Sequence, residues 1–377
     1  MKTSKAITKP AKAKKEAPRR TPYLEINLEQ IGRAYRDFKR SMPDAGVFYA
    51  MKCNPHPRIL QHLSSLGSSF EIASATELDQ LVAVGVDPRE VLYSNPVKPI
   101  QHIARAHRAG VWRFAFDSRM ELEKIAEAAP GAAVYVRIAA PRHDSMVPSE
   151  GKFGIDGSSA LTLLQYARSL GLRPHGISFH VGSQMEHPEP WEFAIKESAS
   201  LMERLLAHDI KLQMLNIGGG FPSHYGEEIP EIAEYGASIS RALLKHLPYK
   251  LSIVAEPGRY LAAEAGVLVA TVIGIAERFG KTWVHVDVGA FNGMMEALET
   301  QNALHFPLTD SRQDRETALY HLTGPTCDSQ DTLLFDATLS ANLAINDKVF
   351  IHSAGAYTTS YASTFNGFPI PESYIVA

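Results

Sequence analysis

From about residue 45 the chain alternates two kinds of stretch. Short runs of β-branched, aromatic and small apolar residues are followed by longer amphipathic segments rich in Ala and Leu. The short runs are VFYAMK (47–52), FEIAS (70–74), VLYSNP (91–96), FAFDS (114–118), AVYVRI (133–138), GISFHVGS (176–183), MLNIGGG (214–220) and SIVAEPG (252–258). Between them lie helical patterns such as HPRILQHLSSLG, ATELDQLVAVG and SSALTLLQYARSLG. Each ends in Gly, which closes a helix by taking the left-handed conformation at low cost. Eight strand–helix units in succession predict a closed, TIM-like (β/α)8 barrel rather than an open doubly wound sheet, and no early GxGxxG favours the open form. The first five runs start 19 to 23 residues apart and the next three 43, 38 and 38 apart. The added length is expected in the βα loops and helices of the second half, the end of a barrel where active-site loops grow.

After about residue 262 the pattern changes. GVLVATVIGIAERFG, KTWVHVDVG, DKVFIHSAG and SYIVA alternate in β fashion with no regular helix between them, which predicts a C-terminal β domain over 262–377. The segment 22–44 has one short strand before its helix and is expected to join that domain's sheet, leaving the barrel at 45–261. Residues 1–21 read as a disordered basic tail.

Charge sharpens the tail. Residues 1–22 carry a net +7, so the remaining chain is −10 within a whole-chain total of −3. A solvated leader accounts for the lysines better than a nucleic-acid or membrane arm, and an acidic body suits a cationic small substrate. The start has no apolar h-region and no run approaches a bilayer span. Two cysteines, Cys53 and Cys327, give no disulfide framework. The expected setting is the cytoplasm, with no membrane or nucleic-acid partner.

The chemically distinctive residues collect at the C-terminal ends of the expected strands, the catalytic face of such a barrel. Strand one ends in Lys52, strand five carries Arg137, strand six His180 to Ser183, strand seven Gly218 to Gly220, and strand eight Glu256 to Arg259. Each has a plain reading. Lys52 can be the residue that returns the chain to solvent, the glycines a tight turn, His180 a core histidine, and Glu256 an ion-pair partner of Arg259. Together they offer an anion cradle, a carboxylate, a ring and an amine. Those are the four partners that pyridoxal phosphate (PLP) requires.

The motifs FYAMKCNP, FEIASATE, SFHVGSQ, NIGGGFP, AEPGR, GPTCDSQD and GAYTTSYASTFNGF, in this order from about residue 22 to the C-terminus, resemble the fold-type III PLP-dependent basic amino acid decarboxylases. Within that family the likeness is greatest to short bacterial ornithine decarboxylases. The resemblance implies an alanine racemase-like fold and head-to-tail homodimers with shared sites. It implies that Lys52 carries PLP as a Schiff base, with Glu71 beside it where the family usually has Asp, and Glu77 in support. Arg137 would lie by the cofactor and His180 would stack on its ring. Ser183, Gly218, Gly219, Gly220, Arg259 and Tyr357 would hold the phosphate, and Glu256 the pyridine nitrogen. Cys327 and Asp328 would enter the partner's site, Cys327 as the acid that protonates Cα, and Lys152 would pair with Asp331 across the interface. Glu296, Asp328, Tyr357 and Phe365 would meet the substrate.

The expected reaction is decarboxylation of L-ornithine to putrescine, in service of polyamine synthesis, with L-lysine to cadaverine, or both, as the alternative. Asp328 offers a carboxylate to a distal ammonium and disfavours diaminopimelate, while biosynthetic arginine decarboxylases are expected to be longer. Set beside the family's bacterial pattern, the chain matches at Glu296 and Glu299 and inserts about two residues near Gln301–Asn302, a segment that the resemblance implies borders the pocket. A racemase on the same barrel would need a tyrosine base and no GPTCD loop. A non-catalytic relative would have lost Lys52, His180, Arg259, Cys327 or Tyr357, which are all retained. No metal site is expected.

Overall fold

The computed structural model describes residues 19–140, 146, 151–312 and 314–376. Eight parallel strands close into a barrel in chain order. They are β2 (Ala45–Ala50), β3 (Ser69–Ile72), β4 (Val91–Tyr93), β5 (Arg113–Phe116), β6 (Ala133–Arg137), β7 (Arg173–Ser178), β8 (Met214–Asn216) and β9 (Ser252–Ala255), and β9 pairs back onto β2. The expected closed barrel is therefore present. An earlier strand, β1 (Tyr23–Asn27), precedes it and leads into helix α1 (Leu28–Ser41).

Local chemistry explains the helices that follow each strand. Ser74 accepts from the Glu77 N–H to start α3 (Ala75–Ala83), and Ser118 accepts from Glu121 to start α5 (Arg119–Ala128). Helix α2 (Pro57–Ser65) opens on a proline at its first position, and α4 (Ile100–Ala109) lies between α3 and α5. Gly67, Gly85 and Gly171 close their helices at φ +90°, +88° and +76°, as expected. In the second half, α6 (Gly157–Ser169), α7 (Glu189–Leu206) and α8 (Ile232–His246) run 13, 18 and 15 residues, against 9 or 10 for α2 to α5. The wider strand spacing is thus spent on longer helices and on longer connections after β6 and β8.

Strand alternation divides the apolar residues between two cores. Phe48, Leu92, Ala115, Tyr135, Met214 and Val254 form a separate buried cluster. Their opposite-parity neighbours, such as Tyr49, Tyr93 and Phe114, join the large core.

After a short α9 (Arg259–Ala262), the chain enters a second sheet. It consists of β10 (Gly266–Arg278), β11 (Lys281–Val286), β12 (Leu308–Asp310), β13 (Thr317–Thr323), β14 (Thr332–Ser340), β15 (Lys348–Ile351) and β16 (Glu372–Val376), with order β12-β15-β10-β11-β13-β14. β1 pairs antiparallel to β10 and parallel to β16. Among the described residues, the short helices α10 (Met295–Glu299) and α11 (Thr358–Tyr361) and a 3-10 turn, Phe365–Gly367, interrupt this region. Residues 1–18 of the expected tail lie outside the described residues, but Arg19 is tied down, paired with Glu25 at 2.9 Å and placed 4.5 Å over the Tyr374 ring. No helix among the described residues is long and apolar enough to cross a membrane.

Candidate active site

Most of the distinctive residues sit just past the strands, whereas Arg137 is the last residue of β6 and Glu71 lies on β3. β2 stops at Ala50, and Lys52 rides a single 3-10 turn, Met51–Cys53. β7 stops at Ser178 and β8 at Asn216, so His180 and the three glycines belong to loops. The reason is conformational. Gly182, Gly218 and Gly220 have φ of +113°, +68° and +101°, which a strand ladder does not admit. At Gly218 a Cβ would stand 2.2 Å from the Phe179 carbonyl oxygen, so this loop can cross its neighbour only as glycine.

The turn that carries Lys52 is pinned from the second sheet's side. The Tyr357 N–H donates to the Cys53 carbonyl at 2.8 Å, and the Asn54 amide donates to the Gly355 carbonyl at 2.8 Å. Tyr357 adopts φ +58° there. Its ring lies 5.0 Å from the Arg259 guanidinium.

Two clefts meet at the barrel mouth and share Lys52, Glu71, His180 and Glu256. The first is lined also by Ser183, Gly219, Gly220, Arg259, Glu296, Glu299 and Tyr357. The second is lined also by Ser94, Asn95, Arg137, Lys152 and Phe153. The Lys52 ammonium donates to Glu71 Oε1 at 2.8 Å, and that carboxylate holds the amine's pKa above its ordinary value. Burial pushes His180 down to about 3, with Arg137 and Lys52 adding to the effect, so its ring is a neutral imidazole. Glu77 accepts from the Ala73 N–H instead of from Lys52. Burial, then Glu71, raises its pKa to about 6. Arg137 lies 5.3 Å from the Phe153 ring centroid.

Arg259 and Glu256 are not partners. Arg259 is buried and forms a two-pronged ion pair with Glu296, with Nη1 to Oε2 at 2.9 Å. It also donates to the Tyr225 hydroxyl at 2.8 Å and to Ser183 Oγ at 3.3 Å. Glu296, expected to meet substrate, therefore has both oxygens on Arg259. Glu299, one turn along α10, is the exposed acid facing the same cleft. At the expected insertion, Gln301 and Asn302 are both left-handed, and the Asn302 amide donates to the Thr332 carbonyl at 2.7 Å.

Three expected site residues stand apart. Cys327, Asp328 and Phe365 are exposed and line neither cleft. Cys327 Sγ accepts from the Asn366 amide at 3.2 Å, and the Phe365 ring packs on Phe291 at 4.7 Å. The expected Lys152–Asp331 pairing needs correction. Asp331 is fully buried, and its carboxylate accepts from the Ala290 N–H at 2.7 Å and the Thr326 N–H at 2.9 Å. It serves as a brace inside its own chain and presents no charge to a surface.

Sequence reasoning missed three residues. Ser94 and Asn216 both donate to Glu256, Asn216 at 2.6 Å. Lys98 is buried, with Nζ donating to the Asn95 carbonyl at 2.8 Å and the Ala115 carbonyl at 2.6 Å, and pairing with Glu121 at 2.9 Å. Ser94 and Asn216 could have been found by their position at strand C-termini. A lysine in a βα loop carries no such signal.

The donor set fits PLP. Arg259 Nε is buried and has no hydrogen-bond partner among the described residues. Gly219 and Gly220 line the same cleft as Arg259, and the Glu256 carboxylate and the Lys52 amine line it too.

Comparison with known proteins agrees. Residues 28–263 match the model of the pyridoxal-dependent decarboxylase family's pyridoxal binding domain. A lysine/ornithine decarboxylase of Selenomonas ruminantium is 37% identical over 92% of this chain and 88% of its own length. The crystal structure of the Vibrio vulnificus lysine/ornithine decarboxylase with cadaverine superposes with TM-score 0.86 at 33% identity, covering 95% of this chain and 93% of that one. The Paramecium bursaria Chlorella virus arginine decarboxylase gives TM-score 0.89 at 28% identity, covering 95% and 96%. An arginine decarboxylase of this length exists, so length does not exclude arginine here. This chain belongs to the pyridoxal-dependent decarboxylase family and is a PLP-dependent carboxy-lyase.

Proposed function

We propose that this chain decarboxylates L-ornithine to putrescine and CO2, with Lys52 as the residue that carries PLP. L-Lysine, giving cadaverine, is the second reading, and it is favoured by relatives named for both activities. Decarboxylation of a basic amino acid is common to both. The observation that carries the proposal is the Lys52–Glu71 pair in a cleft that also holds Arg259 and Glu256.

Bound PLP supplies an electron sink for the pair left on Cα when CO2 departs. The chain's own residues do the rest. Glu71 takes up and returns the proton that Lys52 must lose to act as a nucleophile. Arg259 Nε, Ser183, Tyr357 and the Gly218–Gly220 loop would hold the phosphate. Neutral His180 would lie against the ring without competing for its proton, with Arg137 nearby. Glu256 would keep the ring nitrogen protonated. The substrate's distal ammonium meets Glu299, and also Asp328 reaching in from a second copy of the chain. Cys327 of that copy returns a proton to Cα, since a thiol's pKa of about 8.5 is tunable toward neutrality. Exposure of Cys327 and Asp328, away from their own chain's clefts, supports the shared-site homodimer.

A panel of L-ornithine, L-lysine, L-arginine and their D-forms, read by mass spectrometry of the amine product, tests the substrate. Putrescine should dominate. A preference between ornithine and lysine rests on one methylene, worth about 1–3 kcal/mol. If neither diamine forms, the substrate reading fails.

A further inference from the structure

The Glu256 carboxylate is bonded on one side only. Oε1 takes the Ser94 hydroxyl and the Asn216 amide, the latter at 2.6 Å. Oε2 takes no protein hydrogen bond among the described residues. Asn216 has no choice of orientation, because its Oδ1 accepts from the Gly218 N–H at 2.9 Å and so turns Nδ2 toward Glu256. Behind Ser94 stands Tyr135, whose hydroxyl is 2.9 Å from Ser94 Oγ. Ser94 has a single proton, which it gives to Glu256, so Tyr135 must donate to Ser94. Reversing the chain would leave the buried Tyr135 proton without an acceptor among the described residues. Burial holds Tyr135 protonated, consistent with a fixed donor. The seat itself is firm. Ser94 N–H bonds the Ile72 carbonyl at 3.0 Å, and Lys98 holds the next residue's carbonyl.

We propose that Ser94, backed by Tyr135, is a positioning residue that keeps Glu256 ionised and turns its free Oε2 to the cofactor's ring nitrogen. This rests on the assignment of Glu256 above. The relay opposes a real load, since burial and then the Glu71 charge push the Glu256 acid upward while the Ser94 and Asn216 donors pull it down. Removing the Ser94 donor lets the load win. Glu256 then holds its proton to higher pH, and the ring nitrogen loses its counter-charge.

The test uses the holoprotein reconstituted with PLP labelled by 15N at the ring nitrogen. In S94A the nitrogen resonance should move toward its unprotonated position and the acid limb of kcat should move to higher pH. kcat should fall about tenfold, the order of one hydrogen bond to a charged group, with KM changed by no more than about twofold. Y135F should shift both readouts the same way by less, and S94T should restore them. If S94A holds PLP with an unmoved resonance and an unmoved limb, the inference is overturned. So it is if S94T fails to rescue while thermal unfolding is unchanged. A wild-type protein that binds no PLP would sink the underlying assignment as well, and that outcome is separately visible.

Discussion

Glu296 and Glu299 are three residues apart on one short helix, yet their surroundings give them different work. Glu296 neutralises a buried guanidinium, whereas Glu299 is exposed at the cleft. Truncating one partner of a buried pair strands the other charge. E296A is therefore expected to destabilise the cofactor-free chain by about 3–5 kcal/mol in urea unfolding. E299Q should leave stability unchanged and raise KM for the diamino acid, by about tenfold for one charge-assisted contact. If E296Q raises KM while leaving stability untouched, the two roles are reversed. The histidines give a pH prediction with a definite sign. Burial holds His175 near 4 and His180 near 3, below their ordinary 6.5. The unfolded chain therefore binds protons that the folded chain does not, and stability falls as pH drops from about 6.5 toward 4. Replacing both with Asn should flatten that slope in urea midpoints measured across the window. An unchanged slope would place the acid sensitivity elsewhere.

The strands were legible because alternation and Gly-closed helices are local, and all eight barrel runs are strands of the barrel. Their ends were less so, since β7 and β8 stop at Ser178 and Asn216, short of the positive-φ glycines Gly182 and Gly218, while SFHVGS and NIGGG read on past those ends. The same fact makes a prediction. G218A combines a left-handed φ with a Cβ 2.2 Å from a backbone oxygen, a contact no rotamer relieves. It should abolish PLP retention during gel filtration, whereas Ala at Gly131, where a Cβ meets nothing within 4 Å, should retain it. Equal retention would mean that the loop relaxes freely. The site's amine, carboxylates and anion cradle could be read from strand ends. Its bonding could not, because Arg259 choosing Glu296 over Glu256, and Asp331 turning inward, are decided by packing between the barrel and the second sheet.

Assembly is where this chain's own clefts run out, since Cys327 and Asp328 line neither of them. If the homodimer shares its sites, K52A and C327A proteins, each inactive, should regain about a quarter of wild-type activity when co-refolded. Random pairing makes half the dimers hybrids, and each hybrid has one intact site. No recovery would mean that each chain works alone. Beneath every such test lies the assignment of one amine. Borohydride reduction of the purified holoprotein, followed by proteolysis and mass spectrometry, should find a pyridoxyl group on Lys52. A label on any other lysine, or on none, would contradict it.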